Sequence, residues 1–418
     1  MNVEIVTIGS ELLLGFTVDT NAAELGQQLA AAGLRIVRRT SIPDTPEAIH
    51  DAVSEAVRRT GAVITTGGLG PTRDDMTKGV IAELFARPIV FQEDLWQQLV
   101  ERYRGFGRTP VESNRTQAEI PEGATVLPNK WGSAPGIWLE GQLQDGASGL
   151  VIMLPGVPVE MRNLLQAEVL PRLATRATGR VIRSRTLRTT GVSESVVAER
   201  LGEVDQEIGP LTLAYLPNVS GVDLRLTAWD AVLGEVDQLL DRGAARVRSH
   251  AEDAIYGEGE DDLAALVLAR ARARGFRLAV AESCTGGLVG ARLTEIPGSS
   301  DVFEGGVVCY SYESKTTLLD VPAEMIVAHG AVSEPVVRAM AAGALARLGA
   351  DLSVAVTGIA GPGGATPDKP VGTVWIATAL GGAVQASKNV FMGSRGEVRA
   401  RAAQRALFLL WKRLAASA

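Results

Sequence analysis

The chain has 418 residues, 46% of them hydrophobic and 21% charged, the balance of folded rather than disordered protein. At about 100–200 residues per domain, two or three domains are expected. Lys and Arg total 41 against 48 Asp and Glu, and the net charge of −7 speaks against a broadly basic nucleic-acid surface. Cys284 and Cys309 are the only cysteines and there is no Cys-x-x-Cys, which argues against structural zinc and fits a reducing compartment. Met1 to Val6 lacks a basic leader and reads as a strand, and no run nears the roughly 18 apolar residues of a membrane span. A cytoplasmic protein without membrane contact is therefore expected.

The first elements alternate. Val3 to Ile8 is a buried strand running into Gly9-Ser10-Glu11. Thr20 to Ala32 is a helix with Ala22, Leu25, Leu29 and Ala32 on one face and Gly33 behind it. Leu34 to Arg38 is a strand. Pro46 to Arg59 is a helix capped by Thr45, with Gly61 just past its end. Ala62 to Thr66 and Val151 to Leu154 are further strands, the latter followed by a helix from Val159 to about Ala167. This order predicts a parallel sheet with right-handed crossovers, closing near residue 170.

From 171 to 255 the pattern changes. Arg183 to Thr189 and Val222 to Ala228 alternate like half-exposed strands, and Ser193 to Leu201 and Leu233 to Val247 are helical. We read this as a small α+β spacer or dimerisation domain, and the arginines between Arg172 and Arg188 as a solvated face. From 256 to 418 the doubly wound pattern returns, with strands over Leu278 to Ala281, Gly305 to Tyr310, Leu352 to Val356 and Thr373 to Ala379. Helices are expected after Asp261-Asp262, over Pro335 to Leu348 behind Ser333, and over Gly396 to Leu414. The fold class is α/β: two doubly wound α/β domains joined by a small α+β domain.

Two sets of residues carry chemistry. In 65–77, Thr-Thr-Gly-Gly-Leu-Gly-Pro-Thr-Arg-Asp-Asp-Met-Thr, a glycine turn after a strand (Gly67, Gly68, Gly70) offers N–H groups to phosphate oxygens. Asp74 and Asp75 supply hard oxygens for a divalent cation, and Glu11 and Asp19 on other loops of the same edge complete the set. The second set is Glu282-Ser283-Cys284-Thr285-Gly286-Gly287, then Tyr310 to Lys315, then Thr357-Gly358. A hydroxyl nucleophile needs a base, and a desolvated lysine serves where histidine is absent; His50, His250 and His329 all lie outside these motifs.

Residues Gly9 to Asn21, 65–77, 129–136 and 154–161 resemble the molybdopterin-binding fold, and more closely the N-terminal domain of the CinA (competence/damage-inducible protein A) family. The resemblance implies a metal-dependent ADP-ribose pyrophosphatase giving AMP and ribose 5-phosphate, with Asn21, Asp19, Gly67, Gly68 and Gly70 at the substrate and Asp74, Asp75 and Glu11 at the metal. Glu282 to Gly287, Pro297 to Ser300, Tyr310-Ser311, Lys315, His329 to Ser333, Thr357 to Pro362, Pro370 to Thr373 and Gly393-Ser394-Arg395 resemble the family's C-terminal domain and its stand-alone relative, nicotinamide mononucleotide deamidase. That resemblance implies hydrolysis of the carboxamide to nicotinate mononucleotide and ammonia, without a cofactor. The chain departs from the family pattern at Tyr312 and Cys309, where asparagine and threonine are usual.

Ser300 is placed first as nucleophile or proton relay, with Ser283 kept beside it, Lys315 as base and Tyr310 on the tetrahedral intermediate. Ser283 and Thr357 are expected as hydroxyl donors, Thr285, Gly286, Gly287 and Gly358 around the substrate, and Arg395 as a phosphate clamp. The family also implies a homodimer. A domain-one regulatory nucleotide or pterin binder without catalysis, and a nucleotide-sensing binding protein in competence or DNA repair, are the alternatives.

Overall fold

The computed structural model describes residues 1–176 and 179–416. Its chain divides into two compact units: Met1–Arg183 with Ala228–Asp237, and Ser184–Thr227 with Gln238–Ala418. The expected middle segment, 171–255, is shared between them.

In the first unit, four parallel strands lie in the order Arg35–Ile42, Asn2–Ile8, Ala62–Thr66, Ser148–Leu154. Gly136–Gln142 and Thr125–Leu127 extend the sheet antiparallel, which the sequence reading did not anticipate. The caps are as expected: Thr45 accepts from Ala48 N–H, and Gly61 closes the helix Pro46–Thr60 at φ 71°. The helix Pro158–Leu164 continues past Ala167 through a π turn, Leu165–Val169, into Leu170–Ala174. In that turn Leu170 N–H reaches Leu165 O, just ahead of Pro171, which has no N–H to give.

Between the doubly wound regions the strands run in the order Leu211–Pro217, Val222–Val232, Arg180–Thr189, Ile255–Glu258. The arginines of the basic run all meet acids: Arg172 with Glu168, Arg176 with Glu140, Arg180 with Asp230, Arg183 with Asp237, Arg185 with Asp241 and Arg188 with Asp223. Residues 177 and 178 of that run lie outside the described residues. Neutralised in this way, it is a solvated face and not a phosphate track.

The second unit carries a sheet ordered Phe303–Val308, Leu278–Glu282, Leu352–Gly358, Thr373–Leu380, Ala383–Val390. The first three strands are parallel and the last two antiparallel. Strand side chains alternate between faces. Leu278 and Val280 pack with Val267, Leu268, Ala402 and Leu407 of the helices Leu263–Arg274 and Arg395–Ala416. Ala279 and Ala281 pack with Val337, Met340 and Ala341 of the helix Glu334–Arg347. Helices on both faces leave the carboxyl ends of the parallel strands as the open edge, where such sheets bind ligands. Glu282 pairs with Val308 on one side and Val356 on the other, so Ser283, Cys309 and Thr357 lie level at that edge.

Candidate functional site

At that edge the helix Tyr312–Leu319 turns Lys315 inward, leaving it 1% exposed. Lys315 Nζ lies 3.1 Å from Ser283 Oγ, 2.7 Å from Cys309 O and 3.4 Å from Ser311 O. All three partners are neutral. Burial without a carboxylate pushes the lysine below its ordinary range, toward the free amine. A serine hydroxyl against such an amine is an activated nucleophile and its base.

Glu282 organises the turn, a role the sequence reading missed. Its buried carboxylate accepts from Gly287 N–H at 3.0 Å, Val289 N–H at 3.1 Å and Gly290 N–H at 2.8 Å. These open the helix Leu288–Thr294, so the protein's own carboxylate fills the anion seat. This corrects the expectation that Thr285-Gly286-Gly287 receives the nucleotide phosphate. Gly286 at φ 61° and Gly287 at φ 94° form the left-handed turn instead, and Gly286 N–H donates to Ser283 O. The signal was available: a glutamate ending an apolar strand directly before a helix-opening turn.

Ser300 is also corrected. It lies in the turn Ser299–Asp301, just before Phe303, which pairs with Leu278 at the amino end of the sheet. At about 3.3 Å per residue, the strand Leu278–Glu282 separates it from Lys315 by roughly 15 Å. Within this chain, Ser283 meets the base and Ser300 does not. Thr357 is no free donor, because its buried hydroxyl gives its proton to Ala331 O at 2.9 Å. Gly358 ends its strand, where a Cβ would strike Val374 and Thr373 O. Thr285 Oγ1 is buried without a hydrogen-bond partner among the described residues.

Tyr310 is 58% exposed at the mouth, its hydroxyl 2.6 Å from Arg395 Nη2. Arg395 Nη1 donates to Gly361 O at 2.8 Å. Arg395 thus ties two loops across the entrance and presents charge there. Both thiols are inert: burial pushes Cys284 up to about 12, and Cys309 is raised for the same reason.

In the first unit, a cavity of about 400 Å³ follows the strand ends Ile8 and Thr66 and takes in Gly67, Gly68, Gly70, Asp74, Asp75 and Glu11. Asp44 and Glu160 join them, giving five carboxylates and no basic side chain in the lining. The glycines are there for space: a Cβ on Gly67 would lie 2.2 Å from Ile8 O, one on Gly68 2.0 Å from Thr77 Oγ1, and one on Gly70 2.4 Å from Asp75 Oδ2. Gly67 N–H is taken by Leu154 O, while those of Gly68, Leu69 and Gly70 meet no protein acceptor among the described residues.

Asp75 Oδ2 accepts from Thr72 N–H and Oγ1 at 2.9 and 2.5 Å. Hydrogen bonding to Thr72 holds Asp74 below the usual carboxylate range, while burial raises Glu160. Asp19 and Asn21 do not line this cavity. Asp19 caps the helix Thr20–Ala31 through Ala22 N–H. Asn21 Nδ2 holds Thr66 Oγ1 and Gly156 O at 3.0 and 2.7 Å, so it positions the turns around the cavity. Hard carboxylate oxygens suit a divalent cation, yet among the described residues no three His, Cys, Asp or Glu are drawn into a ligand cluster.

Three family profiles account for these regions: "Probable molybdopterin binding domain" over residues 4–175, "Damage-inducible protein CinA KH domain" over 184–257 and "CinA C-terminal domain" over 260–414. A "CinA-like protein" of Gemmatimonas aurantiaca is 55% identical over 410 residues, 97% of this chain and 95% of its own length. The chain belongs to the CinA family. A CinA-like protein of Parasynechococcus marenigrum is 44% identical, over 99% of this chain and 98% of its own. The crystal structure of competence damage-inducible protein A from Klebsiella pneumoniae covers 37% of this chain and 95% of its own, at 42% identity and a TM-score of 0.36.

The CinA profile also names the middle segment a KH domain, which the sequence reading did not. KH domains grip nucleotides with a Gly-x-x-Gly loop. No two glycines stand at that spacing between 184 and 257. Among the described residues no helix is long and apolar enough to cross a membrane.

Proposed function

We propose that the second unit deamidates nicotinamide mononucleotide, with Ser283 as nucleophile and Lys315 as its base. The buried contact between Lys315 Nζ and Ser283 Oγ, 3.1 Å apart, carries the reading. The free amine takes the hydroxyl proton as Oγ bonds to the carboxamide carbon. The lysine returns that proton to the departing nitrogen, ammonia leaves, and water attacks the acyl ester to regenerate Ser283 and release nicotinate mononucleotide. Tyr310 and Arg395 at the mouth would meet the nucleotide's phosphate or the developing charge. Ammonia release measured for the wild type, Lys315→Ala, Ser283→Ala and Ser300→Ala tests this. Both Lys315→Ala and Ser283→Ala should lose about a hundredfold or more, the usual scale of a missing acid–base partner, and Ser300→Ala far less. Release unchanged in Lys315→Ala would remove the lysine from the mechanism, and no release from a wild type that binds the nucleotide would leave a nucleotide-binding protein as the better reading.

The first unit is proposed to cleave ADP-ribose to AMP and ribose 5-phosphate. The observation in its favour is the acidic cavity beside a glycine turn with three open N–H groups. Five carboxylates repel a pyrophosphate unless a cation lies between. Glu11, Asp74 and Asp75 would hold a divalent ion, which when bound supplies that neutralisation. Product formation from ADP-ribose should require added divalent metal and fall at least about tenfold in Asp75→Asn. Cleavage indifferent to both would leave this unit as a regulatory nucleotide or pterin binder.

A further inference from the structure

The C-terminal helix Arg395–Ala416 carries two further arginines that the Ser283–Lys315 site does not use. Arg401 and Arg405 stand one turn apart and both line a cavity of about 470 Å³, within the usual size of small-ligand sites. Its other walls are Thr190–Glu194, Pro217–Val222 and Asn389–Met392. At 1.5 Å rise per residue, Arg405 sits roughly 15 Å along the helix from Arg395. The cavity is thus distinct from the Ser283–Lys315 contact.

Arg405 is unusual. It has no hydrogen-bond or ion-pair partner among the described residues, and its Nε is wholly buried. Its guanidinium is set 5.6 Å from the Phe408 ring, and a Cβ on Gly191 would lie 2.4 Å from its Nη1. Gly191 also holds φ 77°, so this close approach is built for glycine twice over. Arg405 is partly buried, and a charge in that setting with no counter-charge among the described residues is costly; a second arginine at i−4 adds repulsion. The acidic lining among the described residues is Glu194 alone.

Anion-binding groups converge on the same space. Ser193 caps the eight-residue helix Glu194–Leu201, its hydroxyl 3.2 Å from Ser195 Oγ rather than on the backbone, and Ser193 and Glu194 bring the start of that helix, with its orphan N–H groups, to the cavity wall. Val219, Val390 and Met392, 43%, 56% and 79% exposed, add an apolar wall that a bare inorganic ion would leave wet. We propose that this cavity binds a phosphate-bearing small organic molecule of nucleoside monophosphate size, its phosphoryl group held by Arg405, Arg401 and the start of the helix Glu194–Leu201.

The probes are inorganic phosphate and AMP, added to the full chain and to Arg405→Met, Arg405→Lys and Arg401→Gln, with affinity read by calorimetry and ligand-induced thermal shift. Wild type should bind both, with AMP displacing phosphate from this site. Arg405→Met should weaken that binding about ten- to a hundredfold, the scale of one charged hydrogen bond, with Arg405→Lys in between. Without ligand, Arg405→Met should melt at or above the wild-type temperature. A purely structural arginine would instead lower the melting temperature and leave both ligand-induced shifts intact, which overturns the proposal. Failure of AMP to displace phosphate also overturns it. If Arg405→Met does not fold, Arg401→Gln must still weaken both probes; unchanged affinity there is equally fatal.

Discussion

Lys315 costs the fold something in exchange for chemistry. Its amine is buried against one hydroxyl and two carbonyls, with no acid paired to it among the described residues. Its folded pKa is lowered, so between that value and the ordinary lysine range the unfolded chain holds a proton that the folded chain has released. Stability therefore rises with pH through that window, and the cost of burying the lysine is greatest below it. Replacing the lysine by methionine of similar length removes the cost. Lys315→Met should be more stable than wild type in urea unfolding at neutral pH, and the gap should close as pH approaches the ordinary lysine range. Ammonia release by the wild type should climb over the low-pH side of that window, as the free amine appears. A gap independent of pH would mean that Lys315 binds its proton equally in the folded and unfolded chain, so that burial does not lower it.

Elements rather than single residues decide how the nucleophile is presented. Glu282 ends one strand, and its carboxylate gathers the first N–H groups of the following helix, fixing the turn that holds Ser283. Glutamine keeps the shape but loses the charge and one acceptor, so Glu282→Gln should cost about 2 kcal/mol, the scale of a charged hydrogen bond. Because Ser283 is the next residue, kcat should fall more than KM rises; an unchanged kcat would reduce Glu282 to a structural cap. The sequence showed the helix starts at Thr45 and Asp262 and the stop at Gly61, because caps and left-handed glycines act locally. It also brought out the segments that meet around Lys315, Glu282–Ser283 and Cys309–Lys315. It did not show which serine meets the lysine, since that depends on strand register: Ser283 and Ser300 are equally good hydroxyls until one leaves the carboxyl edge and the other the amino edge. The antiparallel strand Ala383–Val390 was missed for a related reason. Half exposed at the sheet edge, with Gln385, Ser387 and Asn389 in it, it has no continuous apolar run.

At the scale of the whole molecule, the question is how much of the chain the proposed deamidase needs. Both hydrophobic clusters that clasp its sheet are drawn from residues between Tyr256 and Leu414. The catalytic pair and the Tyr310–Arg395 bridge fall within the same stretch. A fragment covering 256–418 therefore carries its own core and should fold, with cooperative thermal unfolding and ammonia release within a few-fold of the full chain. It cannot carry the whole Arg401–Arg405 cavity, because Thr190–Glu194 and Pro217–Val222 are gone. Thermal stabilisation by phosphate that depends on Arg405 in the full chain should be absent from the fragment, while turnover persists. A fragment that folds but does not turn over would make residues before 256 part of the catalytic requirement. One that keeps the Arg405-dependent phosphate response would move the anion site wholly onto the C-terminal helix.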